Sequence, residues 1–350
     1  MKNRTTPFGY AIIGCGRIFQ NHLAGVRQSL LARVVAVCDL NDERRAAAAS
    51  ISGAAVAVSD YRRILEREDI DIVDICLPHY LHYQSVMDAA DARKHILCEK
   101  PVATKLVDAV QMIERTETRG VFFGVVYQNR YNTASIKVRK AIDAGRFGKV
   151  VAASCTMNNY KPQSYYQDGW HGHWQSEGGG TLTTQAVHNM DLLCWFLGQP
   201  ISVTAHTAVL THHMEVEDTA AATIEFANGA LAAFMSTNSS YLPWNQRMEI
   251  CGTLGNVVLE DNRIVRWTFS EKLGPDDDNG NEDADMPMPG SAAYGPSHPR
   301  LIVDFIESIH EGRVFQVNGR EALKVSLLLW ATYRSAQSGR KERIEQGGIL

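Results

Sequence analysis

Residues 1–125 of this 350-residue chain alternate short apolar runs with helix-patterned segments, and that rhythm limits the fold more than any other feature. The runs at Phe8–Ile13, 33–38, 54–58, 70–77, His95–Cys98 and 121–126 read as strands. Segments 17–29, 42–50, 61–67, 81–92 and 104–119 read as the helices between them. Near-continuous apolar strands with no polar alternation have both faces buried. With a helix after each, they form an open parallel sheet covered on both sides.

Gly14-Cys15-Gly16 ends the first strand and opens the first helix. Two glycines there let the backbone turn tightly and approach a pyrophosphate, which then sits on the helix N-terminus. Gly14, Gly16, Arg17 and Ile18 are the residues expected at that phosphate. The third glycine of a full GxGxxG is absent, because position 19 is Phe. Asp39 ends the second strand, where a carboxylate accepts hydrogen bonds from the adenosine ribose and repels a 2′-phosphate. The cofactor expected is NAD rather than NADP, although Arg44 and Arg45 lie close enough to soften that choice.

After residue 126 the rhythm changes. Segment 133–144 is helical, 150–157 is a strand, and a stretch rich in Tyr, Trp and His leads to Gly178-Gly179-Gly180. One helix is expected over 182–197, closed by Gly198 and Pro200. Strands follow without helices between them, at 201–207, Thr219–Phe226, 230–237, 247–251 and 257–259. Asn228-Gly229 predicts a two-residue hairpin. Segments 300–310 and 321–338 are terminal helices. The expectation is an α/β Rossmann domain over 1–125. An α+β C-terminal domain with a mostly antiparallel open sheet covers 126–350, its C-terminal helix able to pack back on the first domain.

The net charge is −4, with no basic stripe, which argues against a nucleic-acid partner. The acidic excess sits at 275–297, a stretch with six carboxylates, no Lys or Arg, and several Pro and Gly. It reads as a long solvated loop or a lid. The seven cysteines are odd in number, lack a CxxC pair and sit mostly in apolar runs, the usage of a reducing compartment. No secretory leader or membrane-length apolar run is visible, so a cytoplasmic location is expected. His171-x-His173 and His212-His213 lack partners at ligand spacing, so no metal is expected.

Cys98-Glu99-Lys100-Pro101 ends the fifth strand, where such a sheet presents its ligands. This resembles the Glu-Lys-Pro motif of the Gfo/Idh/MocA family. Leu77-Pro78 followed by His82 resembles that family's fourth-strand signature. Trp170-His171-Gly172 through the three glycines, then Gln185, His188 and Asp191, resembles its second-domain signature, and 248–255 its late hairpin. The resemblance spans nearly the whole chain. It implies hydride transfer between nicotinamide and a secondary hydroxyl or ketone of a sugar, sugar derivative or cyclitol. It also implies a substrate held between nicotinamide and the second domain, and a homodimer or homotetramer built on the open sheet. The family also hosts NAD-dependent glycosidases. A non-catalytic dinucleotide-binding regulator of the same fold is a third reading, against which Lys100 and His188 both speak.

Oxidation of an alcohol needs a group to take the hydroxyl proton and donors to hold the oxygen. Lys100 is the first candidate, since a positive nicotinamide and partial burial both make an amine a better proton acceptor. His188 is the second, with a side chain suited to proton transfer near neutrality. On one continuous helix, Thr184, His188 and Asp191 would share a face, with Gln185 at its border. Inositol-dehydrogenase-like members carry Asp where this chain has Thr184, a departure that argues against inositol dehydrogenase itself. The Thr184-Gln185 pair is closer to the Asn-Gln pair of some nucleotide-sugar dehydrogenases. By resemblance Pro78, His82 and Glu99 join Lys100 at the cofactor, with a structural role at the helix start equally open for His82. Asn129 and Arg130 either line the substrate cleft or serve packing. Trp170 and its aromatic neighbours suit the flat face of a sugar ring or a protein contact.

Overall fold

The computed structural model describes residues 6–243, 246–270 and 296–345. The chain divides into two compact units, Met1–Gln128 with Met286–Leu323, and Asn129–Asp285 with Lys324–Leu350. Most of the acidic stretch, residues 275–295, lies outside the described residues.

In the first unit, strands β1 (Phe8–Ile13), β2 (Ala32–Cys38), β3 (Val56–Val58), β4 (Ile72–Ile75), β5 (His95–Cys98) and β6 (Phe123–Val125) form one sheet in the order β3-β2-β1-β4-β5-β6. Every pairing is parallel. Every residue of β1 and β4 is buried, the pattern of strands covered on both faces. Helices α1 (Phe19–Gln28), α2 (Asp42–Ser52), α3 (Arg62–Leu65), α4 (His82–Asp91) and α5 (Leu106–Arg119) alternate with the strands. Asn41 caps α2 by accepting the Arg44 N–H, and Gly53 ends that helix with a left-handed φ of 73°. The strand order reverses between β1 and β4, the place where open sheets of this kind bind ligands at their carboxyl ends.

The second unit contains α6 (Thr133–Asp143), β7 (Val150–Asn158), α7 (Thr181–Thr184), α8 (Val187–Leu197), β8 (Pro200–Ala208), β9 (Thr219–Phe226), β10 (Leu231–Thr237), β11 (Arg247–Gly252), β12 (Gly255–Glu260) and β13 (Arg263–Phe269). Three corrections to the sequence reading arise here. The helix expected over 182–197 is two helices, and β13 was not anticipated. Only Ile264 of β13 is buried, so its strand character rests on β-branched and aromatic content rather than on alternation. The hairpin at Asn228-Gly229 also has a longer connection than expected. Phe226 N–H bonds to the Ala230 carbonyl, Gly229 N–H closes a turn on Phe226, and Gly229 takes a φ of 87°. That is a three-residue loop ending on a left-handed glycine.

C-terminal to these lie α9 (Ser297–Glu311), α10 (Gly319–Ser338) and β14 (Glu342–Arg343). Helix α9 packs in the first unit against α1, so closely that a Cβ on Gly25 would come 2.7 Å from Ile302. Strand β14 completes the second sheet, in the order β13-β12-β11-β7-β10-β9-β8-β14. Its pairings are antiparallel except β7 with β10. Along β9 and β10 burial alternates. Ala222, Ile224, Ala232 and Phe234 are buried beneath the helical layer, while Ala221, Thr223, Leu231 and Met235 face outward. All seven cysteines are free thiols. Among the described residues no helix is long and apolar enough to cross a membrane.

Candidate active site

The carboxyl ends of β1 and β2 form one half of the site. Gly14 has a φ of 99°, and a Cβ there would lie 2.4 Å from the Cys76 carbonyl oxygen, so only glycine fits. Gly16 is exposed, and a Cβ on it would meet nothing within 4 Å. That open space at the start of α1 is where a pyrophosphate approaches a helix N-terminus, and a side chain at 16 would fill it. Arg17 is exposed and Ile18 half-buried beside it, while Phe19, at the missing third glycine, is buried in the core. Asp39 is buried. Its Oδ2 accepts the Cys15 N–H at 2.9 Å and its Oδ1 the Asn41 N–H at 2.8 Å. Each oxygen retains acceptor capacity for a ribose hydroxyl. Arg45 donates to the Asp39 carbonyl and to Asp42, whereas the exposed Arg44 guanidinium lies 3.4 Å from Asp39 Oδ1. The Gly14–Gly16 turn and this carboxylate therefore fit a dinucleotide.

The carboxyl ends of β4 and β5 form the other half. Pro78 and Lys100 are half-buried. Glu99 N–H bonds the Ile75 carbonyl, which ties this turn to the end of β4, and Glu99 Oε2 accepts the Lys100 N–H at 3.1 Å. His82, expected either at the cofactor or in a structural role at the helix start, lies between the Leu77 and Pro101 turns. It is fully buried as the first residue of α4, with Nδ1 2.8 Å from the Pro101 carbonyl and Nε2 2.9 Å from that of Leu77. The ring lies between two backbone carbonyls, to one of which a neutral imidazole donates, a placement that fits a strut between the two turns. Burial lowers its pKa, while the two carbonyls and Glu99 act in the opposite direction.

In the second unit the three glycines lead into α7 over a buried carboxylate. Glu217 Oε2 accepts the Gly180 N–H at 3.0 Å, and its Oε1 accepts the Leu182 N–H at 2.9 Å and the Tyr333 hydroxyl at 3.0 Å. A Cβ at Gly180 would sit 1.8 Å from the Glu217 carbonyl oxygen, which explains the glycine. Burial pushes the Glu217 carboxyl up to about 7 against the pull of these donors. Beyond Thr184 the helix opens. The Ala186 N–H reaches back five residues to the Thr181 carbonyl, and α8 starts afresh at Val187.

The break separates Thr184 from the helix that carries both His188 and Asp191, so only those two keep regular helical spacing. Thr184 Oγ1 donates to Glu177, another buried carboxylate. Asp191 is fully buried and takes Arg130 Nε at 2.9 Å and Nη2 at 2.7 Å, with the guanidinium 5.6 Å from the Trp195 ring. Of the two roles open for Arg130, its 1% exposure corresponds to packing. Asn129 is half-buried, as is His188 near the start of α8. Gln185, at the break, has its carbonyl oxygen held by Asn238 Nδ2 at 3.0 Å, and the same Asn238 donates to the Tyr166 hydroxyl.

The aromatic loop carries a chain of polar contacts that the sequence did not reveal. His171 Nδ1 lies 2.6 Å from Asp168 Oδ2 and its Nε2 lies 2.8 Å from the Tyr165 hydroxyl. Trp170 stacks on the same ring, with centroids 3.6 Å apart. His212 lies between Asp218 and the Lys161 carbonyl, and His173 lies 3.0 Å from Glu215.

Comparison with known proteins adds independent evidence. Residues 8–127 match the family described as "Oxidoreductase family, NAD-binding Rossmann fold", and residues 135–258 match the GFO/IDH/MocA C-terminal domain. The chain is 28% identical to inositol 2-dehydrogenase of Rhizobium meliloti, covering 96% of this chain and 98% of that protein. It superposes with a TM-score of 0.90 and 32% identity on the WlbA dehydrogenase of Bordetella pertussis, whose structure was solved with NADH and UDP-GlcNAcA. That match covers 97% of this chain and 99% of the other. Levoglucosan dehydrogenase in complex with NADH and levoglucosan shares the fold at 24% identity and a TM-score of 0.87, over 97% of this chain and 100% of that one. With a matched dinucleotide-binding unit and a matched second domain, this chain belongs to the Gfo/Idh/MocA family of NAD-binding oxidoreductases.

Proposed function

We propose that the protein is a dehydrogenase that oxidises a secondary hydroxyl of a sugar, with a nucleotide-linked sugar acid as the first substrate to test. The carrying observation is that Lys100 follows β5 on the same carboxyl edge of the parallel sheet as the Gly14–Gly16 turn and Asp39. Bound NAD would supply the hydride acceptor. Lys100 binds the reacting oxygen and takes its proton, and His188 serves as the second acid–base group. Gln185 and Trp170 orient the sugar. The nucleotide-sugar choice draws on the 32% identity to the WlbA dehydrogenase and on the Thr184-Gln185 pair. The experiment is a panel of nucleotide sugars, free sugars and cyclitols followed by NADH absorbance. Net NADH formation with one of them supports the reading. Sugar release without net NADH, or no turnover with any of them, counts against it.

Cofactor choice rests on Asp39. NAD should bind more tightly than NADP, and Asp39→Ala should narrow the gap by removing both the ribose acceptor and the repulsion of a 2′-phosphate. Calorimetry giving tighter NADP binding to the unmutated protein would overturn this.

The outward face of the second sheet supports a homo-oligomer. Leu231 is 59% and Met235 41% exposed, and Ala152, Ala221 and Ala233 surround them at register positions on β7, β9 and β10. A contiguous face of small and apolar side chains is unusual on a monomer. Light scattering should give at least a dimer at micromolar concentration, and Leu231→Lys with Met235→Lys should dissociate it. A mass near 38.8 kDa for the unmutated protein would sink the idea.

A further inference from the structure

The Glu-Lys-Pro turn is backed by a buried side chain that the sequence left unassigned. His22 of α1 is completely buried, with Nδ1 2.7 Å from Asp74 Oδ2 and Nε2 3.0 Å from Glu99 Oε1. Ionised carboxylates only accept hydrogen bonds, so a ring that satisfies both must carry a hydrogen on each nitrogen. Asp74 Oδ2 also accepts the Tyr10 hydroxyl at 2.8 Å. The Glu99 oxygen not facing His22 accepts the Lys100 N–H. The result is a chain from β1 and β4 through α1 to the residue that carries the chemistry.

We propose that His22 is a positioning residue for the reaction: as an imidazolium clamped between Asp74 and Glu99, it fixes the carboxylate that holds the Lys100 backbone. This rests on the reading of Lys100 as the proton acceptor. The groups facing His22 are Asp74 on β4, Cys76 just beyond that strand, Glu99 just after β5 and His298 on α9, whose ring centroid is 5.8 Å away, while Tyr10 on β1 reaches the same Asp74 oxygen. His298 also lies 3.9 Å from Glu99, and Lys100 follows Glu99 in the chain. Burial works against charge on His22, but the Asp74 carboxylate outweighs it and lifts its pKa well above the ordinary value. Glu99 is held well below the usual carboxylate range, against burial, first by its bond to His22 and the charge of that ring, and also by the charge of Lys100. Burial lowers His298 to about 3, which leaves His22 as the charged ring of the two.

With a carboxylate oxygen at each ring nitrogen, His22 is clamped as an imidazolium, and its contribution is lost as pH rises through its raised pKa. Asp74→Asn removes one of the two carboxylates and should bring that loss into the assay range. The test uses the full-length protein with NAD and UDP-GlcNAcA, or the sugar returned by the NADH panel. His22→Gln should lower kcat by about 10–100-fold, the scale of a small misplacement of a reacting group, with KM and NAD affinity nearly unchanged. Asp74→Asn should add a fall in kcat above neutral pH that neither the unmutated protein nor His22→Gln shows. Unchanged kcat in both variants, or an Asp74→Asn pH profile parallel to the unmutated one, overturns the proposal. Should either variant fail to fold, imidazole nitrogen NMR of the unmutated protein decides, because a His22 ring that is neutral at pH 7 overturns it. Full turnover by Lys100→Ala would instead refute the underlying assignment, so the two failures are distinguishable.

Discussion

Lys100→Ala should lower kcat by roughly 10²–10⁴-fold, the range for losing a general acid–base group, while NAD affinity changes little. The asymmetry follows from the division of labour in the first unit. On the proposed reading, Gly14, Gly16 and Asp39 would hold the dinucleotide at the ends of β1 and β2, through groups other than the Lys100 side chain. Removing the amine takes away the acceptor for the hydroxyl proton, so the loss appears in the chemical step. His188→Ala should reduce kcat within the same broad range. Thr184→Ala should be mild by comparison, since a hydroxyl cannot act as a carboxylate beside His188 and the Thr184 hydroxyl donates to Glu177. Steady-state kinetics with the active sugar, together with calorimetric NAD binding, checks all three. Near-normal turnover in Lys100→Ala would refute the assignment.

Asp191→Asn should destabilise the protein by about 3–5 kcal/mol, the cost of breaking a buried ion pair from one side. Arg130 and Asp191 are 1% and 0% exposed, and their contact is two-pronged through Nε and Nη2. Removing the carboxylate charge leaves a guanidinium inside the second unit without its main counter-charge, and the amide that replaces it supplies only one acceptor oxygen. Replacing both partners with apolar residues, Arg130→Met with Asp191→Leu, should recover most of the loss, because the desolvation cost of both charges disappears as well. Denaturant unfolding of the single and double variants measures this. A loss below about 1 kcal/mol in Asp191→Asn, the size of an exposed pair, would show that the pair is not buried as described.

Much of the dinucleotide-binding unit was legible because its signals are local. A strand buried on both faces reads as an apolar run, so Phe8–Ile13 and His95–Cys98 coincide with β1 and β5. Gly14 advertises its positive φ and close approach, and Asp39 follows at the end of the next strand. Two elements of the second unit were hidden for opposite reasons. Strand β13 buries too little to alternate. The helix break at Gln185 is invisible because Thr-Gln-Ala-Val has no helix breaker, and only the wide turn back to Thr181 creates it.

Side-chain partners were the least legible part. Spacing could place His82, Thr184 and Asp191 near the chemistry, but it could not show what each would touch. His82 goes to two backbone carbonyls, Thr184 to Glu177, and Asp191 to Arg130, 61 residues away in sequence. His22 drew no attention, since a lone histidine in a helix carries no signal until Asp74 and Glu99 arrive from other strands. The sequence by itself determined the parallel sheet and the glycine turn, because backbone conformation and burial period are written in neighbouring residues. Only the tertiary structure decided which charges are buried together, because a pair such as His22 with Asp74 and Glu99 exists only once distant segments have been packed and water removed.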